Sequence, residues 1–389
     1  MDKKNKNPNV PNLRFSSFAD PFRIYTLKEV LQRISFPVTV DENKLYYQIG
    51  IRSHSKGIFY KEAEIGKQIG NKRIFWIEPN CLILNIVFAW EQAVAKTSEK
   101  EVGMVASHRF PMYKVLNNSL DYIVDFFKTE KGKQLLQMAS PGGAGRNKTL
   151  NQDFFLNSKI YLPSLNEQLK TSELIELIED RIETQIKIID DLLTVKNGIS
   201  NKLFKLQQIE LSNHYLSEYL IEGDKTAVDT SCYKKITVKL NNQGLAFSEL
   251  NREMADTRPF YVRHKGELII GKQNYFNGSI AIVTEQFDNC ICSNAIMSFK
   301  IKGIYSDFLY YQISNNNYLN SQSYKANGTG QKELSEKEFL NFKIWCPQLE
   351  VQQKIVNCFK SLDLKIENEK AILNSYFREK SYLLNNMFI

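Results

Sequence analysis

The sequence has 389 residues, 43% of them hydrophobic and 24% charged, which is typical of globular proteins and long enough for two domains. Its best candidate for a membrane span, Cys81 to Trp90, is interrupted by Asn85 and falls short of the roughly 18 apolar residues required, so no membrane association is expected. The formal net charge of +8 favours an anionic partner such as nucleic acid.

Residues 1–20 are predicted to form an N-terminal arm. Its first seven residues are rich in lysine and asparagine, and we expect them to be disordered. No apolar stretch follows them, so the arm does not have the pattern of a secretory signal. We therefore expect a cytoplasmic protein.

Residues 21–162 are predicted to form a first β-rich module. Short runs rich in β-branched and aromatic residues, bounded by glycine, asparagine or proline, predict strands at residues 45–52, 73–76, 82–88 and 102–106. A long helix is predicted next, over residues 163–206. Pro163-Ser164 is a helix start signal, and Glu167 lies near the positive end of the helix dipole.

Residues 207–346 are predicted to form a second β-rich module. By the same criteria, its strands are expected at residues 233–240, 260–262, 267–270, 279–284 and 295–301. A second long helix is predicted over residues 347–389, because Pro347-Gln348 is a start signal and Glu350 follows it.

Both predicted helices carry a narrow apolar stripe at spacings of three and four, which is typical of a coiled-coil seam. A helix of about 38 residues is roughly 57 Å long and cannot bury its stripe alone, so we expect the two helices to pack together. The predicted fold is α+β: two β-rich modules joined by two long antiparallel coiled-coil helices, with a pseudo-two-fold internal repeat. The stripe residues are Ile175, Ile178, Ile182, Ile189, Leu193, Ile199 and Leu203, then Phe359, Leu362, Ile366, Leu373, Phe377, Leu383 and Met387.

The repeat is visible in the sequence itself. Residues 148–204 align without a gap with residues 332–388, so that Lys148 meets Lys332 at an offset of 184 residues. Upstream the match is weaker, with Phe75 meeting Tyr261 at an offset of 186 residues. Two copies are too few for a solenoid, so we interpret the chain as one duplicated unit of module and helix.

The helical parts carry a further pattern. It comprises Lys332 to Asn341, Ile344, Pro347, Gln352 to Ile355, Phe359, Leu362-Asp363, Ile366, Lys380 to Leu384 and Met387-Phe388. The first copy repeats it with Pro163, Glu167-Gln168, Ile175 and Ile182, and Val10 to Phe15 forms an entry segment. In these residues the whole chain resembles the type I restriction–modification specificity (HsdS) subunits.

The resemblance implies a non-catalytic subunit that recognises double-stranded DNA. Each module would be a target recognition domain that reads one half of a split, asymmetric sequence. The central and C-terminal helices would set the unspecified gap and dock methyltransferase (M) subunits, of which two are expected. Restriction/translocase (R) subunits would join for cleavage. This chain would hold no cofactor of its own, because S-adenosylmethionine, ATP and Mg²⁺ are expected on the partner subunits.

Four helix residues in the shared pattern are candidates for binding a partner subunit. They are Gln168, Ile182, Gln352 and Ile366. One position departs from the pattern, because the first copy has Glu167 where the second has Val351. This difference weakens the expectation that both helices dock a partner in the same way.

The residues also argue against catalysis within the chain. The ten prolines include no adjacent pair, so the Asn/Asp-Pro-Pro-Tyr/Phe loop that holds a flipped adenine is absent, and no P-loop spacing is present. The six cysteines form no Cys-x-x-Cys pair and the four histidines are scattered. We therefore expect buried thiols and no metal site.

Two glycine-rich loops, residues 141–146 and 327–331, occupy equivalent repeat positions. They fit two interpretations, which the sequence leaves open. Each could approach a phosphate with Arg146, Lys148 and Lys332 beside it. Each could instead be a tight turn in which glycine supplies a positive φ.

Base readout needs donors and acceptors displayed on loops. The turns at residues 52–56 and 239–243 rank highest, because they precede Gly57 and Gly244 at matching repeat positions. Arg263 is a further candidate. The main DNA-binding candidates are Arg52, His54, Lys56, Arg73, Arg109, Arg146 and Lys148 in the first copy and Lys239, Asn241, Gln243, Arg258, Lys272 and Lys332 in the second.

Two other functions stay open at this point. The chain could be the recognition subunit of a different bipartite-site restriction system, whose partner does the cutting. It could also be a structural adaptor, with two β-rich modules on a coiled-coil spacer that binds proteins only. The adaptor predicts no affinity for DNA.

Overall fold

The computed structural model describes residues 9–142, 148–209, 214–248, 258–323 and 333–389. The chain divides into two compact units, which we call unit 1 (Met1–Ile186 with Ile372–Ile389) and unit 2 (Lys187–Ala371). Each unit contains one β-rich module and part of each long helix.

Unit 1 contains the first module. Its strands are β1 (Arg23–Thr26), β2 (Leu31–Ile34), β3 (Leu45–Tyr46), β4 (Ile49–Ile51), β5 (Ile58–Tyr60), β6 (Glu64–Ile65), β7 (Ile74–Trp76), β8 (Leu82–Leu84), β9 (Val94–Lys96), β10 (Val105–Ser107), β11 (Met112–Val115) and β12 (Lys159–Leu162). Its helices are α1 (Leu27–Val30), α2 (Gly66–Ile69), α3 (Leu120–Lys128), α4 (Glu130–Met138) and α5 (Gln152–Asn157), followed by the long helix α6 (Leu165–Ile209).

The core of unit 1 is built around a four-stranded antiparallel sheet of order β2-β11-β8-β9, accompanied by the ribbons β1–β12, β3–β6, β4–β5 and β7–β10. Helices α3 and α4 contribute buried side chains such as Phe127 and Leu136. The long helices close the core with Ile175 and Phe388. The rings of Tyr122 and Phe388 lie 4.7 Å apart, so the C-terminal end of the chain belongs to this core.

Unit 2 contains the second module. Its strands are β13 (His214–Tyr215), β14 (Leu220–Glu222), β15 (Ile236–Val238), β16 (Leu245–Phe247), β17 (Phe260–Arg263), β18 (Leu268–Gly271), β19 (Ile280–Ile282), β20 (Cys290–Ser293), β21 (Ile296–Ile301) and β22 (Lys343–Ile344). Its helices are α7 (Leu216–Tyr219), α8 (Ser306–Ile313), α9 (Asn316–Gln322) and α10 (Glu336–Leu340), followed by the long helix α11 (Leu349–Met387).

The sheet of unit 2 repeats the plan of unit 1, with the order β14-β21-β18-β19 and the ribbons β13–β22, β15–β16 and β17–β20. The register is also kept. Tyr113 pairs with Leu82 in unit 1, and the residues 186 positions later, Phe299 and Leu268, pair in unit 2. The internal repeat predicted from the sequence is therefore a repeat of the fold.

The long helices begin directly after Pro163-Ser164 and Pro347-Gln348, as predicted, and span 45 and 39 residues. In unit 1, Glu179 of α6 pairs with Lys380 of α11 at 2.7 Å. In unit 2, Lys196 of α6 pairs with Asp363 of α11. A later residue of α6 thus meets an earlier residue of α11, as in antiparallel helices, which confirms the predicted fold class.

The predicted stripe is buried at most of its positions, but some of its residues are exposed. Leu193 and Phe377 were assigned to it, yet they are 37% and 48% exposed. A straight helix has 3.6 residues per turn and drifts relative to a 3.5-residue repeat, which rotates such positions away from the partner helix. The buried stripe residues are Ile175, Ile178, Ile182, Ile189, Phe359, Ile366, Leu383 and Met387.

The modules also contain helices that were not predicted from the sequence, among them α3, α4, α8 and α9. Short apolar runs fit a strand or a buried helix equally well, which explains the omission. Among the described residues, no helix combines the length and the hydropathy needed to cross a membrane.

The described part of the N-terminal arm packs onto the helix ends. Leu13 N–H donates to the Asn386 carbonyl at 2.9 Å, and Leu13 and Phe15 pack on the core of unit 1. The segment expected to be disordered, residues 1–7, lies outside the described residues.

Candidate nucleic-acid interface

Two exposed hairpin turns, one in each unit, carry the strongest DNA-binding candidates. In the β4–β5 turn, Arg52 N–H donates to the Gly57 carbonyl at 3.0 Å. In the β15–β16 turn, Lys239 N–H donates to the Gly244 carbonyl at 2.9 Å. Gly57 and Gly244 have φ values of 75° and 76°, in the left-handed region that favours glycine. The two turns therefore share one backbone conformation.

Each turn is hydrogen-bonded to a loop of its own unit, the one after β8 in unit 1 and the one after β18 in unit 2. Two successive N–H groups of the turn donate to two successive carbonyl groups of that loop. The pairs are His54–Glu91 (2.6 Å) and Ser55–Gln92 (2.9 Å) in unit 1 and Asn241–Asn277 (2.8 Å) and Asn242–Gly278 (2.9 Å) in unit 2. Because both turns have this fixed base, the exposed side chains of Lys56 and Gln243 project from a rigid support.

Arg52 is held by an aromatic ring. Its guanidinium lies 5.3 Å from the centre of the Phe59 ring. That ring lies across Gly50, where an added Cβ would come within 2.3 Å of it. Glycine on β4 thus makes room for the ring that orients the arginine.

A second group of candidates lies at the end of one ribbon in each unit. His108 N–H donates to the Arg73 carbonyl at 3.2 Å, so exposed Arg73 and Arg109 lie at the same end of β7–β10. In unit 2 the equivalent bond joins Asn294 N–H to the Pro259 carbonyl at 3.1 Å, and exposed Arg258 precedes it. Residues distant in sequence are therefore brought together in each unit.

A cavity of 270 Å³ in unit 2 brings Arg258 and Lys272 together. Lys235, Gln273 and Asn274 also line it. Lys272 is half-buried, and its Nζ lies 3.6 Å from a Glu336 carboxylate oxygen. The cavity thus combines cations with amide groups, which are the donors and acceptors used in base and phosphate contacts.

The two glycine-rich loops provide less evidence for DNA binding than the hairpin turns do. Arg146 and Lys332 lie outside the described residues. Lys148 is half-buried, with its Nζ 5.0 Å from the centre of the Trp90 ring. That contact accounts for the position of Lys148 within the fold, and its role toward phosphate stays a prediction.

The candidates for partner binding on the helices are not available at the surface. Gln168 and Gln352 are each 1% exposed. Gln168 accepts from Ser119 N–H at 3.0 Å and donates to the Pro163 carbonyl at 3.0 Å. Gln352 makes the equivalent bonds with Tyr305 N–H, at 3.0 Å, and the Pro347 carbonyl, at 2.8 Å. Both residues thus connect the start of a long helix to its module by hydrogen bonds.

Ile182 and Ile366 are also buried, at 8% and 4% exposure. As the chain stands, none of these four residues presents a side chain to another subunit. We therefore correct their assignment from partner contact to internal packing, because a pattern that both copies share can reflect a common core as well as a common docking surface.

The difference between Glu167 in the first copy and Val351 in the second has a structural reason. Glu167 is 3% exposed and receives two hydrogen bonds from the Arg14 guanidinium, both at 2.7 Å. These bonds raise the pKa of Arg14. Glu167 thus anchors the N-terminal arm on helix α6, whereas the equivalent Val351 is 38% exposed.

One further correction and one omission concern unit 2. Arg263, proposed as a DNA contact, is 2% exposed and cannot reach a base edge from its position. Lys225 and Lys235, which the sequence analysis did not select, line cavities. The adjacent basic pair Lys234-Lys235 before a strand was the available signal for Lys235. Within the described ranges, no cluster of three potential metal ligands is found.

Comparison with known proteins agrees with this geometry. Residues 201–375 match the family model described as type I restriction modification DNA specificity domain. The chain is 23% identical over 347 residues to the type I restriction enzyme MjaVIII specificity subunit of Methanocaldococcus jannaschii, which covers 82% of this chain and 80% of that protein.

Two solved structures share the fold. One is the S subunit of a type I restriction-modification system from M. genitalium, with 14% identity, 98% of this chain and 99% of that chain covered, and a TM-score of 0.57. The other comes from work on complex assembly and conformational transition of the type I R-M system, with 15% identity, 94% and 97% covered, and a TM-score of 0.59. Family match, relative and fold together identify the chain as a member of the type I restriction–modification specificity (HsdS) subunits, the non-catalytic DNA specificity components of these systems.

Proposed function

We propose that this chain reads a bipartite, asymmetric double-stranded DNA target, with each unit contacting one half-site. The observation that supports this most is the pair of hairpin turns, which share one anchored backbone and present different side chains. Lys56 in unit 1 and Gln243 in unit 2 occupy equivalent turns. An equivalent frame with different side chains is what two half-sites of different sequence require.

We further propose that helices α6 and α11 set the unspecified gap and receive two M subunits, and that R subunits join this complex in the cytoplasm. S-adenosylmethionine, ATP and Mg²⁺ then act on those subunits. Exposed Leu165 and Leu349 are better docking candidates than the buried residues corrected above. They are 45% and 56% exposed and equivalent in the repeat, as two similar subunits would need.

Docking can be tested by co-purification. Leu165→Asp and Leu349→Asp are each expected to reduce capture of M subunits, because a charge replaces an exposed apolar contact. Leu177→Asp is the matched control, since Leu177 is 54% exposed on α6 but corresponds to Ser361 in the second copy. Equal loss with all three variants would contradict the docking assignment.

DNA reading is tested in two steps. A gel shift at stated salt measures binding, and methylome sequencing of cells with and without the gene identifies the methylated sequence. We expect a split motif that disappears with the gene. A chain that captures proteins but shifts no DNA would instead support the adaptor. Capture of a nuclease-containing partner without an M subunit would support the other bipartite-site system.

A further inference from the structure

One place in unit 2 carries polar and charged side chains where unit 1 has apolar ones. The strands of the two units share one register, so equivalent residues can be compared directly. In unit 1 the four positions belong to a hydrophobic cluster and hold Ile77, Cys81, Ala106 and Met112. In unit 2 the same positions hold Arg263, Glu267, Cys292 and Ser298.

Arg263 is the centre of this set. Its Nε donates to Cys292 Sγ at 3.1 Å, and its Nη1 donates to the Asp224 carbonyl at 2.9 Å. Its Nη2 has no hydrogen-bond partner in the part of the chain that the structure describes. The side chain lines a cavity of 190 Å³, and the bond to Asp224 fixes the backbone beside Lys225, which lines the same cavity.

Glu267 is buried behind this cavity at 3% exposure. Ser298, which lines the cavity, donates to Glu267 Oε2 at 2.7 Å, whereas Oε1 has no partner among the described residues. Burying charged groups with incomplete pairing is unfavourable. Because unit 1 forms the same fold with apolar residues here, the fold does not need this set, and the Nη2 of Arg263, unpaired within the described part of the chain, is a donor that can serve an anionic ligand.

Two lysines and one carboxylate complete the lining. Lys225 pairs with Glu222 at 2.8 Å and with Glu336, and Lys272 lies 3.6 Å from the other Glu336 oxygen. The carboxylates of Glu222 and Glu336 raise the pKa of Lys225. In unit 1 the residue equivalent to Lys272 is Ile86, and the residue equivalent to Glu336 is Gln152.

We propose that this cavity binds a backbone phosphate of DNA, which Lys225 and Lys272 contact after it displaces the carboxylate of Glu336. Carboxylate and phosphate oxygens accept hydrogen bonds from lysine in the same way, so one can replace the other. Once Glu336 is displaced, the charged residues that line the cavity are the cations Lys225, Arg263 and Lys272, while Glu222 and Glu267 lie outside the lining and offset part of this charge. The inference rests on the proposed DNA reading by unit 2 and gives that unit a contact that unit 1 does not have.

The test uses the full-length chain, purified with its M subunits, and mixed-sequence double-stranded DNA at several salt concentrations. Glu336→Gln is expected to tighten binding about three- to tenfold, because both lysines lose a competing carboxylate. The pair Lys225→Gln and Lys272→Gln is expected to weaken binding about tenfold and to reduce the salt slope by about one, since one phosphate contact is lost.

The matched control is Glu285→Gln, which releases exposed Lys265 in the same unit and changes the net charge equally. It is expected to change affinity less than twofold. Thermal unfolding of every variant checks that it folds. If Glu285→Gln tightens binding as much as Glu336→Gln, bulk charge explains the effect and the site is refuted.

A second arm separates DNA from free phosphate. Inorganic phosphate is titrated at constant ionic strength while thermal stability is followed. The site is also refuted if phosphate stabilises the chain through the two lysines while the lysine variants bind DNA normally. If the unchanged chain does not bind DNA, both this site and the proposed function fail, whereas normal binding by the lysine variants removes the site alone.

Discussion

Units 1 and 2 join the same two helices to equivalent modules, but they do so with different chemistry. In both, an acid on one long helix pairs with a lysine on the other: Glu179 with Lys380 in unit 1, and Asp363 with Lys196 in unit 2. The acids are related by the 184-residue offset, as are the lysines. The repeat has therefore kept this pair through divergence of the modules.

The contribution of each module to the pair differs. In unit 1, Lys128 of α3 contacts Asp125 at 2.8 Å and Glu179 at 3.0 Å. In unit 2 the position of Asp125 is taken by Tyr311, whose hydroxyl donates to the helix aspartate at 2.9 Å and whose ring stacks on Phe359 at 4.8 Å. The helix pair thus has a module contact here in both units, made by a charged group in unit 1 and by an aromatic residue in unit 2.

The largest difference between the units is expected at the ends of the long helices, where Phe388 in unit 1 corresponds to Phe204 in unit 2. Phe388 is 2% exposed and packs against Tyr122, whereas Phe204 is half-buried at the edge of its core. Phe388→Ala is expected to lower the free energy of unfolding by about 3–4 kcal/mol, and Phe204→Ala by about 1–2 kcal/mol. Hydrogen exchange resolved by unit measures both losses. Equal losses would show that the two ends are packed alike.

The buried glutamines test whether the units remain equivalent at the helix starts. Gln168→Ala leaves the buried Ser119 N–H without a partner, and Gln352→Ala leaves the part-buried Tyr305 N–H without one; each also frees a proline carbonyl. Each is expected to cost about 2–3 kcal/mol, measured by chemical denaturation. Leu177→Ala, at an exposed position of α6, is the control. A negligible loss for either glutamine would mean that the surface role first assigned to it deserves another test.

The sequence was sufficient for the architecture but not for these contacts. The gapless match of Lys148 to Lys332 and the proline start signals predicted two copies and two long helices, because these depend on local pattern. The same pattern could not tell a shared buried residue from a shared surface residue. Gln168 and Ile182 were therefore assigned to partner binding, although they pack inside the chain.

The candidate site was predictable to a similar degree. The turns at Lys56 and Gln243 were found because glycine marks both at one repeat position. The cavity at Lys225 was not, since it brings together residues of β17 and β21, residues that follow β14 and β18, and a residue from α10. Long-range pairing of this kind leaves no periodic trace in the sequence.

A pH series distinguishes the charged contact of unit 1 from the aromatic contact of unit 2. Burial raises the pKa of Asp125 to about 6, despite Lys128 beside it. A carboxyl whose pKa is raised by folding favours the folded state below its unfolded pKa and loses that contribution as the pH rises through about 6. Asp125→Asn is therefore expected to gain about 2 kcal/mol relative to the unchanged chain between pH 4 and pH 8.

Tyr311→Phe is the counterpart in unit 2. Burial and the bond to Asp363 raise the pKa of Tyr311 above its usual range, so the hydroxyl stays protonated from pH 4 to pH 8. We expect a loss of about 1 kcal/mol that does not depend on pH. Thermal unfolding across this range measures both variants. Parallel curves for Asp125→Asn and the unchanged chain would contradict the charged account of unit 1.

The smallest expected effects lie at the two turns, where the units share a backbone and differ in chemistry. Lys56→Ala and Gln243→Ala are each expected to weaken binding of the cognate DNA about fivefold, close to 1 kcal/mol. The lysine can contact only a phosphate or an acceptor, so its loss should weaken binding to all sequences and reduce the salt slope. The glutamine can pair with adenine, so its loss should relax the choice of base in one half-site. Competition binding with base-substituted half-sites separates the two results, with Lys28→Ala as an exposed control in unit 1. If both variants bind the cognate site as the unchanged chain does, the equivalent turns are structural corners and the reading surface lies at the ribbon ends.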